Sequence, residues 1–154
     1  MKPLETSPEE VLRQAIESEV ATRAFYQQLA ARAATPEVRK RMLSLADDEL
    51  IHRARLERRY HEIVGTAAPD PPPASVELPS DLANLDLSRA LKLALERERD
   101  SESHYRFMAE RVPSDTDLGR LFVELAEMEW KHKTAIQAEY DATAVDPDRF
   151  LLDL

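Results

Sequence analysis

Cysteine is absent from the 154 residues, which removes disulfides, thiolate zinc sites, iron–sulfur clusters and thiol catalysis from this sequence. Glycine is nearly absent, with 2 residues. Antiparallel β hairpins draw on Gly-containing turns, so this scarcity, beside abundant Ala, Leu, Glu and Arg, points to an all-α fold. Basic charge is in deficit: the net charge is -9 and the pI is near 5.0. That balance opposes binding to nucleic acid or anionic lipid and suits a protein that attracts cations. No apolar run approaches membrane-spanning length, and "MKPLETSPEE" lacks the apolar region of a signal peptide, so a cytoplasmic location is expected. Hydrophobic residues at 43% and charged residues at 33%, over the length of one ordinary domain, fit a single domain over 1–154 with a real core.

Start and stop signals define four helices. The first, about 8–34, opens on "SPEE", with Ser7 as N-cap, Pro8 at the first helical position and Glu10 completing a capping box. Its apolar stripe is Leu12, Ala15, Ile16, Tyr26, Ala30 and Ala33. The second, about 36–64, follows Thr35-Pro36, carries Val38, Met42, Leu45, Leu56, Tyr60 and Ile63 inward, and ends at Gly65. The segment 66–86 holds five prolines and reads as an extended, stiffened crossover. A third helix, about 87–112, faces Leu91, Ala94, Tyr105, Met108 and Val112 inward, and Pro113-Ser114 breaks it. The fourth, about 115–142, runs through Leu118, Phe122, Leu125 and Ile136. In the tail 145–154, Phe150, Leu151 and Leu152 are expected to dock on the bundle or on a partner. Short breaks make each helix pair an antiparallel hairpin. About 20 extended residues reach roughly 60 Å, so the proline-rich link can cross the full bundle. The expected architecture is an antiparallel four-helix bundle of two hairpins with one long crossover.

The two hairpins superpose as an internal repeat. At an offset of 79, Glu19 falls on Glu98, Tyr26 on Tyr105 and Ala30 on Ala109. At an offset of 80, Leu45 falls on Leu125, Ala46 on Ala126, Glu49 on Glu129 and His52 on His132. Both hairpins thus carry Glu-x-x-His in one register, which puts carboxylate and imidazole on one helix face. Glu19 and Glu49 are equidistant from the first turn, and Glu98 and Glu129 from the second. About 15 residues place all of them roughly 22 Å from their turns, at mid-bundle. All six also interrupt apolar stripes. Four buried glutamates without counter-charge are prohibitively costly, and bound cations remove that cost. Carboxylate oxygens plus two imidazoles, without sulfur, fit two first-row ions such as iron or manganese, whose four positive charges match four carboxylates. The competing reading is a metal-free charge network in a purely structural bundle.

On these residues the sequence resembles the ferritin-like di-iron carboxylate proteins, in particular their rubrerythrin and bacterioferritin branches. That family places a Glu on each of two helices and Glu-x-x-His on each of the other two. Glu19, Glu49, His52, Glu98, Glu129 and His132 match this pattern across nearly the whole chain. The resemblance implies two iron ions per chain, with manganese possible. It also implies that Tyr26 and Tyr105 each donate a hydrogen bond to a ligand carboxylate of the other half. The sequence departs from the family in three places. Rubrerythrins proper carry a four-cysteine iron centre, so here an external electron donor is expected. They also have a further glutamate where this chain has Ser101, and Glu102, one position later, is the candidate extra ligand. Bacterioferritin binds haem through a methionine where this chain has Leu50, so no haem is expected.

The resemblance implies reaction with dioxygen or hydrogen peroxide, oxidising ferrous iron or reducing peroxide, in a homo-oligomer that is a dimer or larger. The alternative is an iron-storage cage with a ferroxidase centre. A short tail without a clear fifth helix favours the enzyme. Trp130 reads as packing or interface, and His61 and His104 as surface. Asp47 and Asp48 read as solvated edge residues, either of which could orient a ligand histidine.

Overall fold

Each helix starts on a residue whose side chain accepts from the first turn. In the computed structural model, which describes residues 6–143, Ser7 Oγ accepts from Glu10 N–H at 3.2 Å, opening α1 (Pro8–Ala31). Thr35 Oγ1 accepts from Val38 N–H at 3.3 Å, opening α2 (Pro36–Val64). Asp86 Oδ1 accepts from Arg89 N–H at 2.8 Å, opening α3 (Leu87–Ala109). Before α4 (Asp117–Thr143), Thr116 Oγ1 accepts from Gly119 N–H and donates to the Pro113 carbonyl. Such caps satisfy amide donors that have no partner within the helix. The reciprocal half of the first capping box is not formed, because the Glu10 carboxylate is held by Arg13 and Gln14.

Both glycines have a positional reason. Gly65 ends α2 at φ 88°, a left-handed conformation, and its N–H reaches the His61 carbonyl at 2.9 Å. Gly119 lies against the turn that precedes α4. A Cβ there would stand 2.3 Å from the Pro113 carbonyl oxygen.

The first helix stops three residues earlier than its apolar stripe suggests. Ala34 N–H donates to the Leu85 carbonyl and Leu85 N–H to the Arg32 carbonyl, an isolated parallel bridge that takes Arg32–Ala34 out of helix. This bridge ties the α1–α2 turn to the start of α3, at the end of the crossover. Leu82 and Leu85 of the crossover are buried, and Val76 and Leu78 pack beside them. The third helix likewise ends early, at Ala109, and the fourth begins at Asp117. Ile63, expected inward, is exposed on the last turn of α2. The expected docking of Phe150, Leu151 and Leu152 lies outside the described residues.

The close helix pairs are α1 with α2 and α3 with α4, giving an all-α four-helix bundle of two hairpins. Its core divides into two apolar clusters. One, at the crossover end, includes Tyr26, Leu29, Met42, Leu45, Leu91, Ala94 and Ile136. The other, at the opposite end, includes Leu12, Ile16, Leu56, Tyr105, Phe122 and Leu125. Among the described residues, no helix is long and apolar enough to cross a membrane.

Candidate metal centre

On every helix the chain passes from one apolar cluster to the other through a glutamate. Glu19 separates Ile16 from Phe25 on α1, and Glu98 separates Leu95 from Tyr105 on α3. Glu49 and His52 separate Ala46 from Leu56 on α2; Glu129 and His132 separate Met128 from Ile136 on α4. The equal distances from the turns therefore bring all six residues into one polar layer. The four glutamates are at most 4% exposed and His132 9%.

Glu49 sits between the two imidazoles. Its Oε2 lies 3.4 Å from His52 Nδ1 and its Oε1 lies 3.3 Å from His132 Nδ1. His52 Nδ1 is also 3.5 Å from Glu19 Oε2, and His132 Nδ1 is 3.1 Å from Glu98 Oε1. The rings stand nearly perpendicular, with centroids 5.1 Å apart. Each Nδ1 thus faces carboxylate oxygens from two helices. Tyr26, on α1, donates its phenolic proton to Glu98 Oε1 at 2.6 Å.

Burial and mutual proximity set the charges. Burial, reinforced by Glu49, holds the Glu19 carboxyl well above the usual range. Burial and the neighbouring Glu98 and Glu19 push Glu129 up to about 12. Burial also opposes ionisation of Glu49, but the Glu19, His132 and His52 side chains beside it overcome this and hold Glu49 well below the usual range. Burial disfavours a charged His132, yet the Glu49 and Glu98 carboxylates beside it push it up to about 11. Both tyrosines are raised, first by burial and then by the surrounding carboxylates. Without a cation, the layer keeps itself near neutrality by holding protons on Glu19, Glu129 and His132.

The residues fit a pair of hard cations. Glu19 Oε2, Glu49 Oε1, Glu98 Oε2, His52 Nδ1 and His132 Nδ1 are all buried without a hydrogen-bond partner. Each such atom costs about 1–3 kcal/mol. Two overlapping sets, Glu49/His52/His132 and Glu19/His52/Glu129, each offer ligand atoms within 4.8 Å of one another and could hold a metal ion. Oxygen and imidazole donors suit iron or manganese.

Two expectations about the surroundings are corrected. Tyr26 makes the expected bond to the opposite hairpin, but Tyr105, buried beside Glu129 and Glu19, forms no hydrogen bond to a carboxylate among the described residues. Glu102 is not aimed at the layer: its carboxylate is held by Lys133 and Arg106. Asp48, one of the two edge residues that could orient a ligand histidine, meets His132, its Oδ2 lying 3.2 Å from Nε2. The signal for it was its place beside Glu49. Which of Asp47 and Asp48 crosses to which histidine depends on helix rotation, which the sequence does not show. Asp47, His61 and His104 are exposed, and Trp130 is 46% exposed.

The model of the rubrerythrin family matches residues 10–140. Among solved structures, a hypothetical protein from Pyrococcus furiosus shares 27% identity over 89% of this chain and 90% of that one, with a TM-score of 0.58. A conserved hypothetical protein from Mycobacterium tuberculosis shares 19% identity over 91% of this chain and 99% of that one, with a TM-score of 0.58, a likeness of fold. No curated protein matches the sequence. With four helices carrying the six-residue layer and the family model spanning most of its length, the chain belongs to the rubrerythrin family.

Proposed function

We propose that this chain is a di-iron oxidoreductase that reacts with dioxygen or hydrogen peroxide, oxidising ferrous iron or reducing peroxide. Family membership and the Glu/His cluster support a di-iron protein. The observation that carries the reading is one layer of four buried carboxylates and two imidazoles, in which both imidazoles and the carboxylates of Glu19, Glu49 and Glu98 present unpartnered atoms.

In this reading Glu19 and His52 would hold one ion and Glu98 and His132 the other, with Glu49 and Glu129 completing the set. Bound, two ferrous ions would supply the two electrons that reduce hydrogen peroxide, with two protons, to two waters, becoming ferric themselves. The protein's part is positional. Tyr26 Oη keeps its proton on Glu98 Oε1 and fixes that carboxylate, and Asp48 orients His132 through Nε2. The apolar clusters on both sides keep bulk water away, which strengthens every charge interaction within. With no cysteine in the sequence to hold a redox centre, an external donor would return the electrons. Assembly into a homo-oligomer belongs to the same proposal. Leu43, Leu50 and Ile51 of α2 are exposed apolar surface that assembly would cover.

The test is anaerobic ferrous loading followed by separate additions of dioxygen and hydrogen peroxide, read by absorbance. The proposal expects rapid ferric formation with at least one oxidant. Ferrous iron that oxidises no faster than in protein-free buffer would overturn it.

A further inference from the structure

The internal repeat places equivalent residues around the two halves of the centre, yet their surroundings differ. In the Glu98/His132 half, Tyr26 donates to Glu98 and Asp48 faces His132 Nε2. The equivalent of Tyr26 is Tyr105, which makes no such bond to Glu19. The position 80 residues beyond Asp48 is Met128, a buried thioether, and His52 has no second carboxylate behind its ring among the described residues. One half therefore has both outer anchors and the other has neither.

The same asymmetry appears in access. A cavity of about 180 Å³ between α1, α2 and the crossover is lined by Glu19 and Glu49, with Val20, Leu50 and Ala74 around them. Of the two outer glutamates it reaches Glu19 and not Glu98, and neither histidine lines it. Its volume equals that of roughly six waters, enough for a small ligand and far too little for a haem or a flavin. Arg23 also lines it, with a buried, unpartnered Nε, so the approach suits small neutral or anionic ligands.

Anchors of this kind fix ligand orientation and donor strength, and losing one costs about 10–100-fold in metal affinity. An ion leaves when a carboxylate swings away and water takes its place. Tyr26 and Asp48 oppose that step on one side only, and the cavity assists it on the other.

Resting on the di-metal reading above, we propose that the two metal positions are functionally unequal. The Glu98/His132 position is a retained, structural-grade site, and the Glu19/His52 position is the labile one, where ions exchange and small ligands arrive from the α1/α2 cavity. Tyr26 and Asp48 are positioning residues for the retained ion.

Cobalt(II)-loaded protein, challenged with excess EDTA and followed by its visible absorbance, tests this directly. The expected result is two phases, one ion each per chain, with rates at least about 10-fold apart. Tyr26→Phe and Asp48→Asn should each speed the slow phase by about 10-fold and leave the fast phase unchanged. Tyr105→Phe should change neither phase. Two ions that leave together overturn the inequality while leaving the di-metal reading intact. So does a slow phase that ignores both Tyr26→Phe and Asp48→Asn. Saturation at fewer than two cobalt ions per chain overturns both.

Discussion

Tyr26 of α1 and Glu98 of α3 belong to different hairpins, and a 2.6 Å hydrogen bond from phenol to carboxylate joins them inside the core. The bond couples hairpin docking to the geometry of the candidate centre. Replacing Tyr26 with Phe keeps the ring and leaves Glu98 Oε1 without its donor. A lost bond to a buried carboxylate costs about 1–3 kcal/mol, so the urea midpoint of the metal-free protein should fall accordingly. The slope of the transition should stay unchanged if only this bond is lost.

The metal-free protein should be more stable near pH 5.5 than near pH 8.5. Glu19 and Glu129 are raised in the folded state and keep protons that the unfolded chain releases above its ordinary value of 4.5. His132, raised to about 11, keeps a proton that the unfolded chain releases above 6.5. Raised groups contribute stability that is full below the unfolded value and lost as pH climbs toward the folded one. Glu49, held low, acts in the opposite sense, and its contribution fades only on acidification below 4.5. Urea midpoints across this range test the sign. Saturating metal should reverse the slope, because binding expels those protons.

Gly119→Ala should destabilise the fold by about 1–3 kcal/mol, the cost of forcing atoms into a packed site. The new Cβ would meet the Pro113 carbonyl at 2.3 Å, and that carbonyl is held by Thr116. Gly65→Ala meets nothing within 4 Å and carries only the strain of φ 88°, about 1 kcal/mol. Chemical denaturation of the two variants should rank them in that order.

Glu102→Gln should leave the number of bound metal ions unchanged. Lys133 and Arg106 already hold this carboxylate away from the layer. Metal analysis after loading and desalting reads the result directly, and a lost ion would assign Glu102 to the centre.

The layer was legible in the sequence because the repeat and the turn distances constrain depth along each helix, and depth is what a helical hairpin preserves. The crossover bundle followed from proline placement and the two short breaks. What the sequence withheld was set by contacts distant in the chain. The early end of α1 depends on Leu85, more than 50 residues beyond Arg32. The diversion of Glu102 depends on Lys133, and the use of Asp48 depends on His132, each on the facing hairpin or helix. The inequality of Tyr26 and Tyr105, equivalent in the repeat, likewise required the packed bundle.

The six-residue layer is expected to hold two metal ions. Anomalous diffraction at the iron edge, from crystals loaded with ferrous iron under anaerobic conditions, tests it most directly. Two peaks per chain are expected within the layer, one beside His52 and one beside His132. A single peak, or peaks outside the layer of Glu19, Glu49, Glu98 and Glu129, would contradict it.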